Sequence, residues 1–235
     1  MKTDKALKLF EIPNIYLTKR AHVEIRKKIV RNLLGEIRNA SILDIGCGDG
    51  SISLQFSSET NHLTLVDFSN SMLEIARKNV SVEFETNVQI IHKNIDEYVS
   101  PLLFDIVLCI GVLAHVSDVE KTIEKTSRLL HPQGYYVVQI TDFDSLMGKF
   151  SYFYNSTRIF FDHGYSLNKI GFSNLLSITE RHDLEFVKKT SYPSFFPGMG
   201  RLPDKWLYQY YFLGAHNPSF SRIGSEVICL FKKRQ

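Results

Sequence analysis

Short apolar runs alternate with amphipathic segments over the first 140 residues of the chain. Apolar side chains recur mostly at three- and four-residue spacings from Arg20 to Ile37, which predicts an amphipathic helix. Two more helices are predicted, one capped by Ser69 or Asn70 and one from Asp118 to Leu130. Five apolar runs predict strands: the run that begins at Ser41, His62–Val66, Val88–His92, Phe104–Ile110 and Tyr135–Ile140. Strands that alternate with helices in this way predict an α/β fold with a parallel, doubly wound sheet.

The second half of the chain is less regular and richer in aromatic side chains. Aromatic and polar residues interleave from Thr141 to Tyr165. A helix is predicted from Tyr165 to Arg181, and a sixth strand at Leu184–Val187. A long excursion at 192–218, with several prolines, precedes a last strand predicted at Glu226–Phe231.

The bulk composition is that of an ordinary globular protein. The 235 residues are 44% hydrophobic and 23% charged, and a net charge of +3 is too small to argue for nucleic acid. Cys47, Cys109 and Cys229 have no C-x-x-C spacing and are expected to be buried free thiols in a reducing compartment. No signal-peptide core and no apolar run of about 18 residues occurs, so a cytoplasmic protein without a membrane span is expected.

A glycine-rich segment follows the first strand and reads Asp-Ile-Gly-Cys-Gly-Asp-Gly from Asp44 to Gly50. Ser51–Phe56 can then begin a helix, so the segment predicts a strand, a tight turn and a helix N-terminus that cradle a polar ligand. A dinucleotide fingerprint needs a further glycine where Ser51 stands, and a P-loop needs a Gly-Lys-Ser/Thr ending. Both nucleotide motifs are therefore excluded, and the remaining alternative is a structural turn without a ligand.

The segment from Asp44 to Gly50 resembles motif I of the class I S-adenosylmethionine-dependent methyltransferases. Asp67, seventeen positions beyond Gly50 at the end of the second strand, resembles the acid of that family's ribose-binding motif. The resemblance is close over residues 20–140 and looser beyond them. It implies a seven-stranded, mainly parallel sheet with an antiparallel last strand and an aromatic-rich substrate cap.

The resemblance also implies how the chain is divided. One methyltransferase domain would span residues 1–235. An N-terminal lid would cover about 1–20, and cap insertions would lie at about 141–165 and 192–220.

Further, the resemblance implies S-adenosylmethionine as the cofactor and a set of residues that bind it. Asp44 would lie beneath the ammonium group, and Asp67 would accept the ribose hydroxyls. Asn94 stands where the family usually has Asp, but its amide oxygen can accept the same hydrogen bond from the adenine amino group. The other predicted cofactor-binding residues come from the lid, the glycine loop, the segment after Asp67 and the ends of strands three and four: Tyr16, Arg20, Gly46, Cys47, Gly48, Gly50, Phe68, Met72, Ile95, Ile110 and Gly111.

Few catalytic groups are expected, because a sulfonium already activates the methyl group. Positioning and water exclusion dominate such a transfer, and a base is needed only where the nucleophile starts protonated. The predicted bases or substrate anchors are His115, after strand four, and His163 and Tyr165, grouped before a helix. A structural role is the alternative for both histidines. No metal is expected, because no Cys/His cluster has ligand spacing.

The predicted function is methylation of a small molecule at oxygen, nitrogen or carbon. Ile110–Leu113 lacks the Pro-Pro-aromatic segment of enzymes that methylate base amines, so no nucleic-acid partner is expected. Two alternatives stay open: a macromolecular or lipid-like substrate, and a non-catalytic protein of this fold that binds the cofactor. The oligomeric state is not predicted, and a homodimer is one option.

Overall fold

The protein is described by a computed structural model, which covers residues 20–149, 168–193, 202–216 and 224–235. The helices are α1 (Arg20–Leu34), α2 (Asn70–Asn79), α3 (Val119–Arg128), α4 (Phe172–Arg181) and α5 (Asp204–His216). The strands are β1 (Ser41–Ile45), β2 (His62–Asp67), β3 (Val88–His92), β4 (Phe104–Cys109), β5 (Leu130–Thr141), β6 (Leu184–Tyr192) and β7 (Glu226–Lys233). Short 3₁₀ helices lie at Leu54–Phe56 and Val82–Asn87.

Within these ranges seven strands form one sheet, in the order β3-β2-β1-β4-β5-β7-β6. Neighbours among β1 to β5 are parallel, and β7 runs antiparallel between β5 and β6. This confirms the predicted mainly parallel, doubly wound sheet with an antiparallel last strand. The strand order reverses between β1 and β4, where the crevice at the carboxyl ends of such sheets binds ligands.

Apolar side chains cover both faces of the sheet. On one face α1 and α5 pack through Ile25, Leu207 and Tyr211 against strand residues such as Leu108. On the other face α3 and α4 pack against the alternate strand residues, among them Val107. Side chains alternate along each strand, so neighbours in sequence face opposite layers.

The prediction of a helix that begins at Ser51 is wrong. The chain after Gly50 forms a turn, in which the Leu54 N–H donates to the Gly50 carbonyl, and then a single 3₁₀ turn. Ser51 Oγ donates to Asp49 Oδ2 and Ser53 Oγ to the Gly50 carbonyl. Such local side-chain bonds compete with helix formation, so the glycine loop has no long helix behind it.

The start of α4 also differs from the prediction. Residues 168–171 are not helical, and the helix begins at Phe172 after Gly171, whose backbone is extended. The Asn168 amide donates to the carbonyls of Leu113 and Val116, which ties this segment to the chain after β4. Tertiary hydrogen bonds therefore replace the helix that was predicted over residues 168–171.

Helix α5 lies where no helix is predicted from the sequence. Its apolar residues do not form one stripe, since Leu207 and Tyr211 are buried while Trp206 and Leu213 are largely exposed. Strand β5 begins at Leu130, earlier than predicted, because the chain before Tyr135 forms a bulge in the strand with Gln133 at a φ of 67°.

The three cysteines are buried free thiols, as predicted. In the described parts of the chain, none of the helices combines the length and apolar character needed to cross a membrane.

Candidate functional site

The glycine loop, residues 46–50, turns off the end of β1 and is held against the end of β2. The N–H groups of Gly46 and Cys47 donate to the Val66 carbonyl at 2.8 and 3.2 Å. Gly46 has a φ of 68°, and a Cβ at this position would collide with Val112 Cγ2. Glycine is therefore required here both for its backbone conformation and for the close approach to the segment after β4.

Asp67 fixes the other side of the loop. Its Oδ2 accepts the Gly48 N–H at 2.9 Å, and its Oδ1 accepts the Ser69 N–H at 2.8 Å. Burial raises the pKa of Asp67, and these backbone hydrogen bonds oppose the rise. Each oxygen keeps a lone pair for a further donor, so the carboxylate can anchor the loop and accept ligand hydroxyls.

Asp44 is a buried acid on β1, opposite Leu65 and Leu108 of the two neighbouring strands. Burial raises its pKa to about 7, a hydrogen bond from Ser53 lowers it, and the nearby Asp67 and Asp49 raise it further. Among the described residues no Lys, Arg or His forms an ion pair with Asp44. A buried carboxylate without a cation is costly, so this site favours a cationic ligand.

Cys47 and Met72 line the loop with apolar and sulfur atoms. Burial raises the pKa of the Cys47 thiol well above its usual value, so this thiol is not a nucleophile. Met72, buried on α2, places its Cε 3.4 Å from the position of a Cβ at Gly48. Phe68 is partly buried, and its carbonyl contacts His92 Nε2 at 2.8 Å, which links the ends of β2 and β3.

Asn94 and Ile95 follow β3 at the same edge of the sheet as Asp67. The Asn94 side-chain oxygen accepts the Asp96 N–H at 3.1 Å. Ile95 packs against the apolar core. Both residues are partly buried, and their role in binding adenine stays a prediction.

Ile110 and Gly111 continue β4 beside the glycine loop. Ile110 is buried, and Gly111 turns the chain with a φ of 76°. Arg26 of α1 reaches this turn, with its Nη1 3.7 Å from the position of a Cβ at Gly111. The guanidinium of Arg26 is therefore next to the cleft between β1 and β4.

His115 lies in the turn after β4, where its N–H donates to the Val112 carbonyl. Burial lowers the pKa of its imidazole to about 4, and the positive charge of Arg26 lowers it further. His115 is therefore neutral at pH 7, able to accept a proton in principle but only a weak base.

Of the four other predicted site residues, only Arg20 is described by the structure. Arg20 is the exposed first residue of α1. Tyr16, His163 and Tyr165 lie outside the described residues, so their predicted roles are untested.

A polar cluster at the carboxyl ends of β5 and β6 was missed by the sequence reasoning. It consists of Gln139, Tyr192 and Glu226, with Arg26 at its edge. One signal was available in the sequence: Gln139 is a polar residue inside the otherwise apolar run of β5.

Comparison with known proteins gives a consistent match. Residues 37–159, slightly more than half of the chain, match the family model described as a methyltransferase domain. A ubiquinone biosynthesis O-methyltransferase of Rickettsia akari is 28% identical over 114 residues, which cover 48% of this chain and 45% of the relative. The corresponding Aromatoleum aromaticum protein is 34% identical over 95 residues, or 40% of each chain. The chain thus spans less than half the length of these curated relatives.

Solved structures share the fold over nearly the whole chain. A Thermotoga maritima protein described as a SAM-dependent methyltransferase, possibly a histamine N-methyltransferase, has a TM-score of 0.63 at 20% identity and covers 97% of this chain and 99% of its own. Magnesium protoporphyrin IX methyltransferase of Synechocystis, with S-adenosylhomocysteine bound, has a TM-score of 0.66 at 14% identity and covers 93% and 87%. At such identities these structures support the fold alone.

Proposed function

Because the chain belongs to the family of methyltransferase domains, we propose that it methylates a small molecule and takes the methyl group from S-adenosylmethionine. The observation that carries this proposal is the buried Asp44, which forms no ion pair with any described residue and lies next to the glycine loop that Asp67 holds in place. A ligand with an ammonium group and two ribose hydroxyls matches both acids.

The residues of the cleft fit this cofactor. Asp44 would hold the ammonium group, and Asp67 would accept the ribose hydroxyls while still accepting the Gly48 N–H. Asn94 and Ile95 would contact the adenine ring. When bound, the cofactor supplies a methyl group activated by its sulfonium.

The protein's own contribution is binding, orientation and exclusion of water. The glycine loop and the Gly111 turn would hold the methyl donor. Helix α1 packs in the same apolar cluster as Cys47 of the loop and Ile110 before the turn. A neutral His115 could accept a proton from an acceptor hydroxyl or ammonium, although its low pKa makes it a weak base. Positioning is therefore the main source of rate in this proposal.

The acceptor is proposed to be a small molecule, attacked at oxygen, nitrogen or carbon in an in-line displacement. The matched relatives are named for O-methylation in ubiquinone biosynthesis, which supports an oxygen acceptor. Buried free thiols fit a reducing compartment, so we also propose a cytoplasmic location.

The test is transfer of label from methyl-labelled S-adenosylmethionine to a component of a metabolite extract. We expect one or more labelled products, and less labelling with the Asp67→Ala variant at a cofactor concentration that does not saturate it. Binding of S-adenosylhomocysteine without any labelled product would indicate a non-catalytic binding protein. Absence of both binding and product would contradict the proposal.

A further inference from the structure

The polar cluster of Gln139, Tyr192 and Glu226 lies on the α1 side of the sheet. Gln139 on β5 lies beside Ile228 of β7, and Tyr192 ends β6 opposite Glu226. Gln139 and Tyr192 are buried, with relative exposures of 4% and 0%. Polar groups at such depth need hydrogen-bond partners.

Most of the hydrogen-bonding groups in the cluster are used. Gln139 Nε2 donates to the Tyr192 hydroxyl at 2.9 Å and to Glu226 Oε2 at 2.8 Å. Thr141 Oγ1 donates to the other oxygen of Glu226 at 2.8 Å. Arg26 Nε donates to the Tyr192 hydroxyl at 3.2 Å. The Tyr192 oxygen therefore accepts two hydrogen bonds.

One donor and one acceptor are left over in the described structure. The Tyr192 hydroxyl accepts twice, and its own proton has no acceptor among the described residues. Gln139 Oε1 is buried and likewise has no hydrogen-bond partner there. The side chains of Gln139 and Tyr192 are hydrogen-bonded to each other, so one small ligand group could form hydrogen bonds with both leftover atoms.

The leftover pair is adjacent to the proposed methyl-donor site. Gln139 follows Val138, which pairs with Cys109 at the end of β4, so it lies beside the Ile110–Gly111 turn. Arg26 joins the two places, with Nη1 near Gly111 and Nε on Tyr192. Its side chain is only partly buried, and its displacement would open the cluster toward the cleft.

We propose that Tyr192 and Gln139 form a subsite for a hydroxyl group of the acceptor substrate. A hydroxyl can accept from the Tyr192 O–H and donate to Gln139 Oε1 at the same time. A carboxylate has no proton for Gln139, and an ammonium has no lone pair for Tyr192 and is repelled by Arg26. The inference rests on the proposed methyltransferase function and narrows its substrate to a phenol or an alcohol.

The experiment uses the full chain saturated with S-adenosylhomocysteine, titrated in a calorimeter with phenol, benzoate and benzylamine at pH 7. We expect phenol to bind at least tenfold more tightly than the other two, because each of them leaves one buried partner unpaired. Phenol binding that is absent, or no tighter than that of benzoate or benzylamine, would overturn the inference. Failure of the methyltransferase proposal is a separate result, since it appears as no S-adenosylhomocysteine binding before any phenol is added.

A pair of variants locates the site. Tyr192→Phe removes only the hydroxyl, so phenol affinity should fall roughly tenfold while the affinity for S-adenosylhomocysteine is kept. Tyr135→Phe is the matched control, because Tyr135 is exposed and lies in the middle of β5, four residues before Gln139. Equal phenol affinity in the wild type and Tyr192→Phe would overturn the assignment. If Tyr192→Phe does not fold, the ligand preference of the wild type decides.

Discussion

Asp44 places cofactor binding and stability in opposition at a single residue. Burial raises its pKa from 3.8 to about 7, so the folded protein holds this proton more tightly than the unfolded chain does. The contribution of Asp44 to stability therefore falls as the pH rises from about 4 to about 7, by up to about 4 kcal/mol in total. The same ionised carboxylate is what a cationic ligand needs.

Asp44→Asn should stabilise the free protein and weaken cofactor binding. The free energy of unfolding of the variant, relative to that of the wild type, should rise by up to about 3 kcal/mol between pH 5 and pH 8. Only the wild type has a buried carboxyl group that must ionise over this range. Urea unfolding at both pH values measures this. Asp118→Asn, which keeps the cap of α3, is the control and should show no such growth. An advantage that stays constant with pH would contradict the raised pKa.

Gly46→Ala separates the two reasons for glycine in the loop. Gly35→Ala is the control, since Gly35 also has a positive φ, of 73°, but has open space around it. The control should cost about 1–2 kcal/mol of backbone strain. Gly46→Ala should cost about 1–3 kcal/mol more, because its Cβ would meet Val112. Thermal or urea unfolding decides, and equal losses for the two variants would show that the contact with Val112 is unimportant.

At the scale of elements, hydrophobic periodicity predicted what local sequence controls. The strands β1 to β4 and the helices α1 to α3 were found within a few residues of their predicted bounds, because each has one clear apolar pattern. The prediction of a helix after Gly50 was wrong, because serine side chains there form hydrogen bonds with the glycine loop. Helix α5 was missed because its apolar residues face both the core and the solvent.

Helix α5 should nevertheless contribute to the core. Leu207 is buried against the α1 face, so Leu207→Ala should lower the free energy of unfolding by about 2–5 kcal/mol. Leu213→Ala on the same helix, where 65% of the residue is exposed, should change it by less than about 0.5 kcal/mol. Urea unfolding of both variants tests this. Similar losses for the two would mean that α5 does not pack as described.

At the scale of the whole molecule, the sheet brings together residues that are distant in sequence. The resemblance to class I methyltransferases predicted the antiparallel last strand, and the parallel β–α alternation predicted the doubly wound sheet. The cluster of Arg26, Gln139, Tyr192 and Glu226 could not be predicted in the same way. Arg26 and Tyr192 are 166 positions apart, and no local pattern encodes their contact.

The central claim is that the glycine loop and Asp67, which accepts a hydrogen bond from that loop, together bind S-adenosylmethionine. Calorimetric titration with S-adenosylhomocysteine tests it most directly, in the wild type and in Asp67→Ala. We predict one binding site per chain in the wild type and an affinity lower by about 1–3 kcal/mol in the variant, because a buried hydrogen-bonding partner is lost. No binding to the wild type, or an unchanged affinity in Asp67→Ala, would contradict the account.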